Sequence, residues 1–215
     1  LFPYTTLFRS GYLRHGCYPY FAGDEEDYHQ KLLNTVNQVL DVDLPAVHRV
    51  DYENIVKFKR LLYVLATNVP FIPNISKLSE KVKLNRNALV YALQWFNKAE
   101  LINTLYKQSK SISVLNKPDK IWLHNTNLSY ALGNQIPDKG NLRETFFISQ
   151  LKPVHEVSLP SSGNFRIDEK YLFEIGGKNK TSAQIQGHTD AYIVKDDIET
   201  GILKSIPLWL FGFLY

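Results

Sequence analysis

The stretch Asn74-Ile-Ser-Lys-Leu-Ser-Glu-Lys-Val-Lys-Leu-Asn-Arg-Asn-Ala-Leu-Val-Tyr-Ala-Leu-Gln-Trp-Phe-Asn-Lys98 decides how this chain folds. Asn74 predicts a helix cap, because its short side chain can accept from a backbone N–H of the first turn. Ile75, Leu78 and Val82 then recur at helical spacing. Leu84-Asn85-Arg86 reads as a tight turn, with Asn85 or Asn87 as the next cap. A longer helix follows, with Leu89, Leu93 and Phe96 inward. Two stretches of β character come next, Leu101–Tyr106 and Ile112–Leu115, joined by a polar KQSKS segment.

Helices precede this unit. Residues 24–40 predict one, with Asp24 at the cap and Tyr28, Leu32, Val36, Val39 and Leu40 on one stripe. A short turn around Leu44–Val47 follows. Residues 52–68 predict another helix, with Ile55, Phe58, Leu62, Leu65 and Val69 one turn apart and Pro70 and Pro73 ending it. Helix, turn, helix and a two-stranded wing is the order of a winged helix. From Lys120 the pattern changes. Ile121–Leu123 predicts a strand, Asn127–Leu132 a helix, Asn134–Asn141 a loop and Leu142–Leu151 a helix. Strands are expected at Glu156–Leu159, Phe165–Ile167, Tyr171–Ile175, Ala191–Lys195 and Leu208–Leu214, interrupted by a helix near Ser182–Gln186. The fold class expected is α+β: a helical connector and winged helix, then an α/β domain.

Bulk composition narrows the function classes. Hydrophobic residues at 44% and charged residues at 21% fit a globular chain and argue against disorder. The net charge of +4 permits contact with nucleic acid without requiring it. A single cysteine, Cys17, excludes an internal disulfide framework and suits a reducing, cytoplasmic setting. The longest apolar run, Ile206–Tyr215, is about half the roughly 20 residues of a membrane helix, so it reads as a buried strand and no membrane association is expected.

The first ten residues, Leu1–Ser10, resemble the in-frame translation of a sequencing adapter, and the chain contains no methionine. Fold reasoning therefore starts at Gly11, and the expectation is a piece of a longer protein. The segments Gly140-Asn-Leu-Arg-Glu144-Thr-Phe-Phe147 and Gly163-Asn164-Phe165 with Phe173-Glu174-Ile-Gly-Gly-Lys178 carry a resemblance. With Tyr12–Phe21 and the winged-helix stretch, they resemble the C-terminal part of prokaryotic AAA-family ATPases. In that family an ATPase module precedes a winged helix and a C-terminal domain of unknown function with a restriction-endonuclease-like fold. The resemblance implies four parts: adapter residues 1–10, a helical connector over 11–50, a winged-helix domain over 51–119 and a restriction-endonuclease-like domain over 120–215. It also implies ATP and magnesium in the parent, held upstream of Gly11, with no cofactor in this piece.

Nuclease chemistry on that fold uses two carboxylates to hold a divalent cation against the phosphate, with a lysine beside them. The helix glutamate resembles Glu144 and the strand carboxylate resembles Glu174. Asn164 stands where the family commonly has Asp, and Gly176 where it has Lys. Lys178 and Asp168 are the candidate replacements. An eroded, non-catalytic site is expected, and a metal-dependent nuclease using Glu144, Asp168, Glu174 and Lys178 is the alternative. Gly177-Lys178-Asn179 fails as a phosphate loop, because Leu172 and Asn179 occupy positions that need Gly and Ser or Thr. The six histidines show no metal-ligand spacing, so no metal is expected.

Lys77, Lys81, Lys83, Arg86 and Lys98 surround the helix-turn-helix, with Glu80 and Glu100 diluting them. Lys83, Asn85, Arg86, Asn87 and Tyr91 are the candidate nucleic-acid contacts. Trp95 and Phe96 read as packing residues. The functional expectation is a regulatory or interaction region that binds double-stranded DNA or a protein partner and couples it to the missing ATPase module. A simple winged-helix transcriptional regulator is a further alternative.

Overall fold

The computed structural model describes residues 10–16, 18, 27–107, 117–133 and 136–214. The expected cap Asp24 and the expected strand Ile112–Leu115 lie outside them. After a helical segment at residues 10–15, helix α1 spans Tyr28–Gln38 and continues through a π-helical turn, Val39–Asp43, into α2, Leu44–His48. Tyr28, Leu32, Val36 and Leu40 form its buried stripe, at the spacing read from the sequence. Helix α3 covers Tyr52–Ala66 and ends just before Pro70. Helix α4, Ile75–Val82, is capped by Asn74, which accepts from the Lys77 amide at 3.1 Å; helix α5, Arg86–Lys98, is capped by Asn85, which accepts from the Ala88 amide at 2.8 Å. Lys83 closes the turn between them in the left-handed conformation (φ 57°).

Strand β1, Ile102–Leu105, pairs antiparallel with β2, Lys120–Leu123, in the register Ile102↔Leu123 to Leu105↔Lys120. Phe71, between α3 and α4, adds a bridge to Ile121. The hairpin partner of β1 is therefore the stretch expected to open the second domain. Both faces of this sheet are buried. Ile102, Ile121 and Leu123 belong to the core of α1, α3, α4 and α5, while Leu105 and Trp122 belong to the core of the C-terminal sheet. The period-two alternation of strand side chains makes one short ribbon a wall of two cores.

Helix α6, Asn127–Leu132, leads to α7, Lys139–Leu151. α7 begins three residues earlier than expected because Asp138 accepts from Gly140 and Asn141 amides at 2.8 and 3.1 Å, fixing the start where a loop was read. The five-stranded sheet runs β3 (Val157–Ser158), β4 (Phe165–Ile167), β5 (Tyr171–Gly176), β6 (Ala191–Lys195) and β7 (Ser205–Pro207) in that order. β3, β4 and β5 are antiparallel; β5, β6 and β7 are parallel, with a 3₁₀ turn at Ala183–Ile185 in the first crossover. Phe146, Phe147, Ile148 and Leu151 of α7 pack on one face, against Phe165, Phe173, Ile175 and Val194. The fold is α+β.

One element differs in kind. Residues expected as a strand over Leu208–Leu214 form a 3₁₀ helix, Leu208–Phe213. Three residues per turn put Leu208 and Phe211 on the same side, and these two are the buried ones. A strand would have aligned Leu208 with Leu210 and Leu214, which are 42% and 43% exposed. No helix among the described residues is long and apolar enough to cross a membrane.

Candidate functional site

Two constellations hold the residues singled out in the sequence. The first surrounds β4 and β5. Glu144, on α7, accepts from Lys120 Nζ at 2.8 Å, Trp122 Nε1 at 3.1 Å and Asn164 Nδ2 at 3.1 Å. Asn164 in turn accepts from the Ile175 amide at 2.7 Å through Oδ1. An amide suits this position because it donates to a carboxylate and accepts from a backbone N–H at once. An aspartate could still accept from the Ile175 amide, but it would set a second negative charge against Glu144 in place of the donor.

Glu174 is 1% exposed. Alternation along β5 sends it away from Phe173 and Ile175, which face α7, and toward the side of Leu172, Ile185 and Ile193. Lys180 Nζ donates to Oε1, and the Gln184 amide, in its hydrogen-bonding orientation, donates to both carboxylate oxygens at 2.8 and 3.0 Å. The strand ends at Gly176. A Cβ there would lie 2.6 Å from Lys180 Cβ and Cγ, so the lysine stem runs across the glycine. Lys180 was not anticipated: β5 stops before Lys178, which sits exposed on the following turn. The sequence signal for Lys180 was the Gly176-Gly177 pair, which breaks the strand and lets the chain double back.

Asp168 lies at the opposite end of β4 from Asn164, in the hairpin turn with φ 51°. It accepts from the Glu156 amide at 3.0 Å and contacts His155 Nδ1 at 2.8 Å. Asp168 therefore stands apart from Asn164 and its partner Glu144, and Glu144 belongs to α7, on the face of the sheet that Glu174 turns away from. Arg143 pairs with Asp196 at 2.9 Å. Each carboxylate near the parallel strand ends is thus held by a cation or amide of the chain itself. No group of three or more His, Cys, Asp or Glu that could hold a metal occurs among the described residues.

The second constellation is the outer face of α4 and α5. Lys77, Lys81, Lys83, Arg86 and Lys98 are all exposed, and none is in an ion pair among the described residues. Asn85 is occupied as the α5 cap, while Asn87, Tyr91, Gln94 and Lys98 form one exposed stripe at i, i+4, i+7 and i+11. Gln94 was missed by the sequence reading, although this spacing was available to find it. Trp95 stacks with His48 (centroids 4.6 Å, planes 17° apart) and with Tyr91 (5.9 Å, 20°), with Phe58 against it edge-on. Phe96 is in the core at 1% exposure.

A polar seam joins the two constellations. Lys152, at the end of α7, donates to Asn97 Oδ1 of α5 at 3.2 Å and Asn103 Oδ1 of β1 at 3.0 Å. Burial lowers the Lys152 pKa from its ordinary value. His124 is lowered chiefly by burial, with Lys152 adding and Glu100 opposing.

A family model described as a domain of unknown function (DUF8612) matches residues 9–139, more than half of the 215 residues. No curated protein matches the chain, and no solved structure does.

Proposed function

The chain belongs to the family described as a domain of unknown function (DUF8612), and we propose that its residues 52–123 are a winged-helix unit that binds duplex DNA. The observation that carries this is the gathering of five exposed cations, Lys77, Lys81, Lys83, Arg86 and Lys98, around α4 and α5, none of them in an ion pair among the described residues. Exposed ammonium and guanidinium groups gathered on a helix-turn-helix gain by neutralising phosphates and releasing counterions. The order α3, Phe71 bridge, α4, α5, β1, β2 supports the same reading, because it supplies the helix pair and hairpin that such units use.

In the longer protein that the sequence resemblance implies, this unit would couple DNA occupancy to the ATPase module upstream of Gly11. The role is regulatory and non-catalytic in this piece. The nuclease alternative gains no support from carboxylates that are already satisfied internally.

The test is duplex binding against salt. Lys83→Ala with Arg86→Ala is expected to weaken binding to any duplex and to flatten the log–log salt slope by about 1.8, since each phosphate left without its cation removes about 0.9. An unchanged slope in the double variant removes this face from the interface.

A further inference from the structure

The cations account for affinity and leave open what, if anything, the interface reads. Three side chains on the exposed stripe of α5 are unlike their neighbours. Asn74, Asn85, Asn97 and Asn103 all have their amides engaged, in caps or in the Lys152 seam. Asn87 and Gln94 are exposed and make no side-chain hydrogen bond among the described residues. Between them stands Tyr91, 54% exposed, with its ring stacked on Trp95, which also stacks with His48. α5 carries no acidic residue, and its ends bear the unpaired Arg86 and Lys98.

We infer that Asn87, Tyr91 and Gln94 read A·T base pairs in the major groove of duplex DNA. The inference rests on the duplex-binding reading above and adds the sequence class that the site selects. A carboxamide pairs with adenine by donating to N7 and accepting from N6, a match that guanine, with two acceptors there, does not offer. Asn87 and Gln94 are seven residues apart, a rise of about 10 Å along the helix. That spans about three base-pair steps at 3.4 Å each. Tyr91 falls between the two amides, where its fixed ring offers an apolar surface to a thymine methyl. The stack holds that ring in place before binding, so little rotamer freedom is lost when it meets the base. Lys98 and Arg86 flank the readers, where the phosphates of both strands would pass.

Three duplexes of equal length test this with the full chain by fluorescence anisotropy: alternating A·T, alternating G·C, and the A·T duplex with 7-deazaadenine in place of adenine. The A·T duplex is expected to bind about 5- to 150-fold tighter than the G·C duplex, the range of one good amide–adenine pair. 7-Deazaadenine, which lacks only the N7 acceptor, should lose most of that advantage. Asn87→Ala and Gln94→Ala should each erode the discrimination while leaving the salt slope unchanged, because neither side chain carries a charge. If both duplexes bind equally and the two variants bind like the parent, base reading by this stripe is overturned and phosphate binding survives. If the chain binds no duplex at all, both proposals fall.

Discussion

The stem of Lys180 lies across Gly176 and delivers its ammonium group to the buried carboxylate of Glu174. A carboxylate 1% exposed is tolerable in a sheet only with a compensating charge and hydrogen bonds, and here Lys180 and Gln184 supply both. Lys180→Met should therefore destabilise the protein by about 3 kcal/mol, because it strands Glu174. Adding Glu174→Gln to that variant should restore part of the loss. Urea unfolding measures both, and a Lys180→Met midpoint equal to the parent's would show that the pair contributes nothing.

Asn164 and Glu144 make a second test, on the α7 side of the sheet. Asn164→Asp replaces a donor by a carboxylate facing Glu144 and leaves it with no proton to give. The expected cost is about 1–3 kcal/mol in metal-free buffer. Magnesium should leave the parent's melting temperature unchanged, since its carboxylates are already partnered. A metal held at 100 times its Kd would add about 2.7 kcal/mol, so a rise of that size in the parent would refute the account of the site as closed.

His124 provides the pH dependence. Its folded pKa lies below the ordinary 6.5, chiefly from burial and also from Lys152, with Glu100 opposing. Its Nδ1 is buried without a partner. Because the unfolded chain binds the proton more readily, stability from this group is complete above pH 6.5 and is lost as pH falls through the folded pKa. His124→Phe should flatten the decline of unfolding free energy as the pH falls below 6.5. An identical decline in the variant would assign it to other groups.

Tyr28 ties the segment at residues 10–15 to α1 and α6. Its hydroxyl donates to the His15 carbonyl and accepts from Asn127 Nδ2 at 2.7 Å, all in a buried setting. Tyr28→Phe keeps the ring and removes one donor and one acceptor, for an expected loss of about 1–3 kcal/mol. Amide exchange should rise first in residues 10–16. Unaltered exchange there would mean that the segment is held by its apolar contacts alone.

The helical half of the molecule was legible in the sequence because each helix carries its own signal. Asn74 and Asn85 cap, Leu78, Val82, Leu89 and Leu93 face inward, and every one of these relations spans four residues or fewer. The same locality explains why β4 and β6 were found with their ends intact. Three features depended on partners distant in sequence. The hairpin partner of β1 was settled by Trp122 reaching the second core while Ile121 and Leu123 stayed in the first. The end of the chain became a 3₁₀ helix because Leu208 and Phe211 had to meet the aromatic surface of Phe147 and Phe173 together. Lys180 took Glu174 because β5 stops at Gly176, so the chain turns back before another lysine can align.

By itself, then, the sequence determined where α4 and α5 begin, which faces they bury and which residues carry charge. Only the tertiary structure decided which charges cancel. Glu144, Glu174 and Asp196 meet cations contributed by other elements, and the lysines of α4 and α5 meet none. Helix periodicity is a short-range property of the backbone. Charge pairing is a property of whichever surfaces the fold brings within a few ångströms of each other.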